Sequence, residues 1–183
     1  MNITILNGNP RPDNLDFEAY LARLTAKLHK TQHQVEVLEL RDMDINYCVG
    51  CWGCWVKTPG QCVHKDDSAI VCRKVIQSDL TIMASPISLG FVTSLLKKTM
   101  DKMIPLVHPY LVVDKGEMHH LKRYEKYPLL GLLLQPGPDS RDRDLEMIGI
   151  ILERTALNLK TRLVFNTVMS KSVEEVTREI DSL

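Results

Sequence analysis

Short apolar or alternating runs follow one another along the chain of 183 residues, and amphipathic segments separate them. The runs are typical of buried β-strands and lie at residues 3–6, 35–38, 80–84, 129–134 and 163–165. Most of the intervening segments repeat apolar residues every three or four positions, as one face of a helix does; the first has Phe17, Leu21, Leu24 and Leu28. Five strands alternating with five helices predict an α/β fold, a doubly wound parallel sheet in a single domain covering residues 1–183.

Some local details sharpen this prediction. The continuous apolar run at residues 129–134 predicts a central strand that is covered on both faces. The third strand should stop at Ser85 and Pro86, because a proline removes a donor from the ladder. Ser68 is predicted to cap a helix that runs to about residue 77. Residues 105–128 follow neither period, and an irregular insertion of this length predicts a lid or a subunit contact.

Composition and charge narrow the class of protein. The chain is 44% hydrophobic and 25% charged, which is an ordinary globular mixture. Its formal net charge is zero, so we expect neither a nucleic-acid partner nor a membrane-surface partner. The apolar stretches are too short to span a bilayer. The first strand begins almost at Met1 and leaves no room for a signal peptide, so we expect a cytoplasmic protein with reduced thiols.

The most specific chemistry lies in four cysteines with the spacing C-x2-C-x2-C-x7-C, namely Cys48, Cys51, Cys54 and Cys62. Thiolates at this spacing can converge on one point, which suits a soft metal ion or an iron–sulfur cluster. Where thiols stay reduced, clustered cysteines indicate metal binding or catalysis rather than disulfides. Alternatively, some of them are small apolar residues in a loop. Four cysteines within fifteen residues favour the metal or redox role.

Several neighbours of this cysteine loop, residues 48–67, have predicted roles. Trp52 and Trp55 would shield a bound cluster from water. Lys57 and Lys65 would help to keep the thiolates deprotonated. Cys72 stands apart from the four on an apolar helical stripe, and we predict that it belongs to the core.

Three loops that follow predicted strands form a second candidate site. In open α/β sheets, ligands bind beyond the carboxyl ends of the strands, where the strand order reverses. The first loop, residues 7–14, opens a helix and carries an arginine, which suits a phosphate group. Its candidate contacts are Asn9, Arg11 and Asn14. The alternative is a plain strand-to-helix turn in which Asn14 is the N-cap.

The other two loops are less polar. The second, residues 85–91, has small residues that let its backbone approach a flat ligand, and an aromatic side chain that could stack on a ring. Its candidate contacts are Pro86, Ile87, Ser88, Leu89, Gly90 and Phe91. The third loop contributes Pro136 and Gly137, although these two residue types mark turns in any protein.

Taken together, these residues resemble the NADPH-dependent FMN reductase family and, within it, the iron–sulfur flavoproteins. The run from Cys48 to Asp67, which ends in two acids, is similar to that family's cysteine signature. The segment from Ser85 to Asp101 is similar to its second flavin loop and following helix, and residues 8–11 are similar to its phosphate loop. The similarity covers most of the chain.

The resemblance implies a flavodoxin-like fold with strand order 2-1-3-4-5 and FMN at the switch point. It also implies an FMN-dependent NAD(P)H oxidoreductase or electron-transfer flavoprotein, with NAD(P)H as reductant and a small molecule or a protein as acceptor. A [4Fe–4S] cluster on the four cysteines would pass single electrons. The chain would be a homo-oligomer, a dimer or tetramer, in which subunits help to build each other's sites.

This chain departs from the family pattern at four positions. Asn9 stands where the family loop usually has a serine after the first glycine. Leu15 and Asp16 stand where the family usually has small hydroxyl or amide residues, and Ser88 stands where many relatives have an aromatic residue. A carboxylate beside a phosphate is repulsive. We therefore expect weaker FMN binding than in typical relatives.

Two other functions are compatible with the same residues. One is a structural zinc site of four cysteines without redox chemistry. The other is a non-enzymatic flavodoxin-like scaffold that binds a partner through residues 105–128. His119 and His120 in that insertion could suggest a further metal site, but adjacent histidines on an exposed loop are usually plain surface residues.

Overall fold

The computed structural model describes residues 1–114 and 116–183. Its strands are β1 (Asn2–Asn7), β2 (Gln34–Glu39), β3 (Leu80–Ser88), β4 (Phe91–Val92), β5 (Val107–Asp114), β6 (Glu117–Lys122), β7 (Leu129–Gln135) and β8 (Leu163–Val168). Its α-helices are α1 (Leu15–Lys30), α2 (Gly53–Val56), α3 (Ser68–Gln77), α4 (Ser94–Asp101), α5 (Asp142–Asn158) and α6 (Val173–Asp181). Short 3₁₀ helices lie at Leu40–Asp42 and Ile104–Leu106.

The main sheet is parallel and has the order β2-β1-β3-β7-β8, with the short strand β4 paired to β3. Counted over its five long strands, this is the order 2-1-3-4-5, so the predicted flavodoxin-like fold is confirmed. β7 lies between β3 and β8, and its residues 130–134 are buried. The prediction of a central strand at this run is therefore also confirmed.

Helices cover both faces of the sheet and create two cores. Alternate residues of one strand enter different cores, because successive side chains of a strand point to opposite faces. Ile82 packs into the core beneath α1 and α6, whereas Met83 packs into the core beneath α3, α4 and α5. Within the described residues, no helix has the length and apolar composition that a membrane crossing requires.

The third strand does not stop at Pro86 as predicted. β3 continues to Ser88, with Pro86 paired to Gln135 of β7. Its other neighbour, β1, pairs no further than Ala84. The proline therefore lies where one side of the strand no longer has a partner, so its missing N–H breaks no ladder on that side.

The predicted cap of α3 is also wrong, although the predicted helix bounds are right. Ser68 is the first residue of the helix rather than its N-cap. Its N–H donates to Asp66 Oδ1 at 3.0 Å, so the carboxylate of Asp66 satisfies this end of the helix.

The insertion is not irregular, because β5 and β6 form a two-stranded antiparallel hairpin. Its register shifts between Val107 and Leu111, around Pro109, which cannot donate to a ladder. Nor are its histidines plain surface residues. His119 is buried, with its ring nitrogens 3.2 Å from Asn158 Oδ1 and from Glu117 Oε2. The ring of His120 lies 4.9 Å from that of Trp55.

Gly8 lets the first loop approach the sheet closely. Its N–H donates to the carbonyl of Ala84 at 2.8 Å. A β-carbon on residue 8 would lie 2.8 Å from Leu96 Cβ and 3.0 Å from Ala84 O, both of which belong to well-packed elements. Only glycine fits here without displacing β3 or α4.

We predict that Gly8→Ala lowers the free energy of unfolding by about 1–3 kcal/mol, as overpacking of a tight core usually does. Urea denaturation measures this change. Gly137→Ala is the matched control, because the nearest atoms to its added β-carbon are 3.9 Å away. Equal stability of the two variants would mean that the first loop adapts freely.

Candidate functional site

A cavity of about 760 Å³ lies at the carboxyl edge of the sheet, next to the ends of β1, β3 and β7. This is where the strand order reverses, because β1 lies between β2 and β3. Of the predicted contacts, its lining includes Asn9, Arg11, Asn14, Pro86, Ile87, Ser88 and Gly137. Leu89, Gly90, Phe91 and Pro136 lie outside the lining. The three loops thus meet around one cavity of cofactor size.

Thr93 joins the first two loops. Its hydroxyl donates to the carbonyl of Gly8 at 2.6 Å, and its N–H donates to Ser85 Oγ at 3.0 Å. The same hydroxyl accepts from the N–H of Leu96 at 3.3 Å and so caps α4. Thr93 was not among the residues predicted from the sequence, although a threonine directly before a helical stripe is an N-cap signal.

Asn14 joins the first loop to the third. Its side-chain amide donates to Gln135 Oε1 at 2.7 Å, at the end of β7. Asn14 occupies the N-cap position of α1, but its side chain makes no capping hydrogen bond. The start of α1, including Leu15 and Asp16, lines the cavity. N–H groups of an uncapped first turn can donate hydrogen bonds to a bound anion.

The side chain of Asn9 organises the loop itself. It is 1% exposed, and it accepts from the N–H of Arg11 at 3.1 Å and donates to Arg11 O at 2.8 Å. Its amide also donates to Glu18 Oε1 at 2.6 Å. These bonds occupy both ends of the amide, and the N–H of Asn9 donates to Asn7 Oδ1 at 2.9 Å, so Asn9 shapes the loop rather than offering a donor to a ligand.

A network of charged and polar side chains supports the first loop. Arg41 pairs with Glu18 and with Glu39 at 2.8 Å each, and Asn7 donates to Glu39 at 2.7 Å. Burial raises the pKa of Glu39, while the positive charge of Arg41 opposes that rise. The members come from β1, α1, β2 and the 3₁₀ helix, so no local sequence pattern indicates the network.

The charged residues at the mouth of the cavity sum to −1, because one cation stands against two carboxylates. Arg11 forms an exposed ion pair with Asp13 at 3.0 Å, and Asp13 and Asp16 both line the cavity. A phosphate would compete with Asp13 for the guanidinium and would meet the carboxylate of Asp16. A phosphate bound here would therefore be attracted by the dipoles of backbone N–H groups and not by a net positive charge.

Phe91 is part of the core rather than of the cavity lining. It pairs with Ser88 across a two-residue turn and packs against the core under α3, α4 and α5. The turn residues Leu89 and Gly90 have φ values of 51° and 76°. Two positive φ values are typical of a type I′ hairpin turn. Leu89 at its tip is fully exposed.

The four predicted cysteines line one small cavity of about 30 Å³, together with His64 and Lys102. Cys54 is buried, Cys62 is half-buried, and Cys48 and Cys51 are exposed. Gly50 and Trp52 have φ values of 64° and 57°, so left-handed residues flank Cys51 and turn the chain back on itself. Burial raises the pKa of the Cys54 thiol, and the neighbouring cysteines raise it further.

This donor set fits an iron–sulfur cluster in its chemistry, since four cysteines are the usual ligands of [4Fe–4S]. All five cysteines of the chain lie in the described residues and are free thiols. The volume is about that of one water molecule, so Cys48 and Cys51 would have to move outward to admit a cluster. Within residues 1–114 and 116–183, no group of three or more His, Cys, Asp or Glu side chains is preformed for a metal ion.

A buried ion pair closes the cysteine loop. The ammonium of Lys102 lies 2.9 Å from Asp66 Oδ2, with the two side chains 2% and 0% exposed. The same ammonium donates to Cys62 Sγ at 3.2 Å. Lys57 and Lys65 are exposed and do not line the cysteine cavity, whereas Lys102 does. Lys102 was missed because its charge falls at the end of an amphipathic helix.

The two acids that end the cysteine loop hold it to its own beginning. Asp66 accepts the N–H of Asn46 at 3.1 Å, and Asp67 accepts the N–H of Asp44 at 2.8 Å. Burial alone would raise the pKa of Asp66. Hydrogen bonds from Lys102, from the Ser68 hydroxyl and from two backbone N–H groups outweigh it and hold that pKa far below its usual range.

The remaining neighbours of the cysteine cavity are Cys72 and the two tryptophans. Burial raises the pKa of Cys72 to about 12, and this thiol packs against the core under α3, α4 and α5. Trp52 lines the cysteine cavity and stacks on Trp55 with ring centroids 4.9 Å apart. Trp55 lies outside the lining, where its Nε1–H donates to Val107 O at 2.9 Å and fastens the hairpin.

A doubly wound sheet of order 2-1-3-4-5, with a cofactor-sized cavity at its switch point, defines a flavodoxin-like α/β protein. The chain belongs to the NADPH-dependent FMN reductase family, whose model matches residues 1–120. The family resemblance read from the sequence is therefore confirmed. The match includes the cysteine loop and the first two loops of the cavity.

Relatives with similar sequences are named iron–sulfur flavoproteins. One from Archaeoglobus fulgidus is 38% identical over 82 residues, which is 45% of this chain and 36% of that protein. Further iron–sulfur flavoproteins from this organism and from Methanocaldococcus jannaschii match at 30–31% identity. The matched segments span about half or less of the length of these curated relatives.

Solved structures extend the likeness in fold to the whole chain. An NAD(P)H:quinone oxidoreductase from Methanothermobacter marburgensis superposes with a TM-score of 0.63 at 16% identity, covering 100% of this chain and 96% of that one. An FMN-dependent NADH-azoreductase from Bacillus anthracis, in complex with FMN, gives 0.59 at 12% identity, covering 100% and 97%. At such identities the likeness concerns the fold alone.

We predict that Lys102→Met lowers the free energy of unfolding by about 3–5 kcal/mol, because it leaves a buried carboxylate without its counter-ion. The double variant Asp66→Asn with Lys102→Met should recover most of this loss, since it removes both charges and keeps the volume. Urea denaturation at neutral pH measures the free energy of unfolding of both variants. A double variant as unstable as the single one would contradict this account.

The same ion pair predicts that the free energy of unfolding depends on pH. The pKa of Asp66 is lower in the folded chain than in the unfolded chain, so its stabilisation is present above the unfolded value of about 3.9. It is lost as the pH falls below that value, because the unfolded chain takes up the proton first. Relative to the double variant, the parent should lose stability between about pH 4 and pH 2. Parallel stability curves would contradict this.

Proposed function

We propose that this protein is an FMN-dependent NAD(P)H oxidoreductase that passes electrons to a small-molecule or protein acceptor. The observation that carries this proposal is the meeting of three loops around one cavity of about 760 Å³ at the switch point of the sheet. Membership of the NADPH-dependent FMN reductase family supports it.

The phosphate of FMN would lie at the start of α1, where the N–H groups of the first turn and Arg11 are its available donors. The ring would lie along residues 86–88, whose lining side chains Pro86 and Ile87 are apolar. Thr93 and Asn14 would act indirectly, by holding the three loops together. When bound, FMN supplies hydride acceptance from a nicotinamide and release of single electrons.

The cysteine centre would hold a [4Fe–4S] cluster on Cys48, Cys51, Cys54 and Cys62. The convergence of these four thiols on one cavity supports this assignment. So does the name iron–sulfur flavoprotein among the relatives. Helix α4 connects the two centres, since Ser94 at its start lines the larger cavity and Lys102 at its end lines the smaller one.

A homo-oligomer would use the hairpin as a contact surface. Tyr110, Val113 and Met118 of the hairpin are 65%, 70% and 72% exposed. Large apolar side chains exposed together are typical of a surface that another protein covers. A second copy of the chain is the partner that the family resemblance favours.

We predict that the apoprotein binds FMN with saturation at micromolar concentrations, measured by quenching of flavin fluorescence. Asp16→Asn should tighten binding about fivefold at low salt, because two nearby charges in water interact by about 1 kcal/mol. Riboflavin is the matched control ligand, since it lacks the phosphate, and its affinity should not change. Salt should weaken the effect.

Failure of FMN to saturate the apoprotein would overturn the flavin proposal. An equal effect of Asp16→Asn on the affinities for FMN and riboflavin would instead mean that the phosphate does not bind at the start of α1. NAD(P)H oxidation in the presence of FMN and a quinone or ferric acceptor would then measure the activity directly.

We predict that anaerobic reconstitution with iron and sulfide gives about four irons per chain. Cys54→Ala should retain far fewer, because it removes a ligand, whereas Cys72→Ala should retain all of them. Cys72 is the matched control, because its half-buried thiol packs against the core beside the centre. The iron count and the visible absorption of the cluster measure the outcome.

Similar iron contents in the two variants would contradict the assigned ligands. Retention of zinc alone would replace the electron-transfer role by a structural metal site. A protein that binds neither flavin nor metal would favour the partner-binding scaffold.

A further inference from the structure

We propose that Lys102 is a positioning residue of the cysteine centre: its ammonium holds the sulfur of Cys62 and favours the reduced state of the cluster bound there. This inference rests on the proposed cluster. It concerns a residue outside the cysteine motif, 40 positions along the chain from the sulfur that it contacts.

The contact is direct and shielded from water. Lys102 Nζ donates to Cys62 Sγ at 3.2 Å, within the range of a hydrogen bond to sulfur, and its side chain is 2% exposed. The lysine also lines the cavity on which the four cysteines converge. A charge-assisted hydrogen bond is stronger in such surroundings than in water.

The ammonium is fixed in its orientation. Asp66 holds a second donor of the same ammonium at 2.9 Å. Asp66 is itself held by the N–H groups of Asn46 and Ser68 and by the Ser68 hydroxyl. At the other end, Lys102 is the C-cap of α4, where a cation complements the helix dipole. The donor on Cys62 therefore has little freedom to turn away.

This arrangement has a definite electrostatic consequence. Reduction of a cluster adds one negative charge, and a hydrogen bond to a ligand sulfur stabilises the more negative state. The formal charge of Lys102 and Asp66 together is zero, but the ammonium is the member that touches the sulfur. Removing both charges thus removes the donor without changing the net charge of the site.

The test is the midpoint potential of the reconstituted cluster, followed by anaerobic spectroelectrochemistry. The double variant Asp66→Asn with Lys102→Met keeps the volume of the pair and avoids an unpaired buried charge. We expect its potential to fall by about 59 mV, which is a tenfold change in the equilibrium of a one-electron couple. Lys102→Arg keeps a cationic donor on a larger, planar head group, and its potential should lie nearer to that of the parent than the potential of the double variant does.

The matched control is Glu36→Gln with Lys74→Met, which removes a partly exposed ion pair of similar length, 2.8 Å, outside the lining of the cysteine cavity. Its cluster potential should equal that of the parent. A double variant at Asp66 and Lys102 with four irons and an unchanged potential would overturn the role of Lys102 and leave the cluster intact. A parent that takes up no iron would overturn the cluster itself and this inference with it.

Discussion

The buried ion pair between Lys102 and Asp66 is the constraint on which the cysteine centre depends. A charge pair removed from water persists only when hydrogen bonds satisfy both partners, and here backbone N–H groups, a hydroxyl and a thiol do so. The pair joins a long loop to the end of α4. Without it, the loop would keep its bonds between residues 44–46 and 66–67 but would lose its charged contact with the core.

Helix α4 connects this ion pair to the larger cavity. Thr93 at its start holds the first two loops of the larger cavity, and Lys102 at its end holds Cys62. Its eight residues span about 12 Å, so one short helix lies between the two centres. A shift of α4 would therefore alter both centres together, so the geometry of the cysteine loop and that of the cavity are not independent.

Patterns along the sequence predicted the sheet well, because the burial of a strand or helix face repeats at short, fixed intervals. They also predicted which loops meet at the carboxyl edge. They could not predict the contact of Lys102 with Cys62, since its partners lie 40 positions apart and a lysine after a helix usually faces solvent. The hairpin was missed for a related reason: Pro109 interrupts its register and conceals the alternation.

Both centres contain a cation that is already paired with a carboxylate, but the two cations differ in burial. At the cysteines, the ammonium of Lys102 is buried with Asp66 and donates to the sulfur of Cys62. At the larger cavity, Arg11 is already paired with Asp13, and Asp16 adds a further carboxylate. The net charge of the lining therefore opposes the binding of a phosphate there, and the affinity must come from the direction of backbone N–H groups at the start of α1. That direction depends on the loop lying close against the sheet, which Gly8 permits and Thr93 maintains.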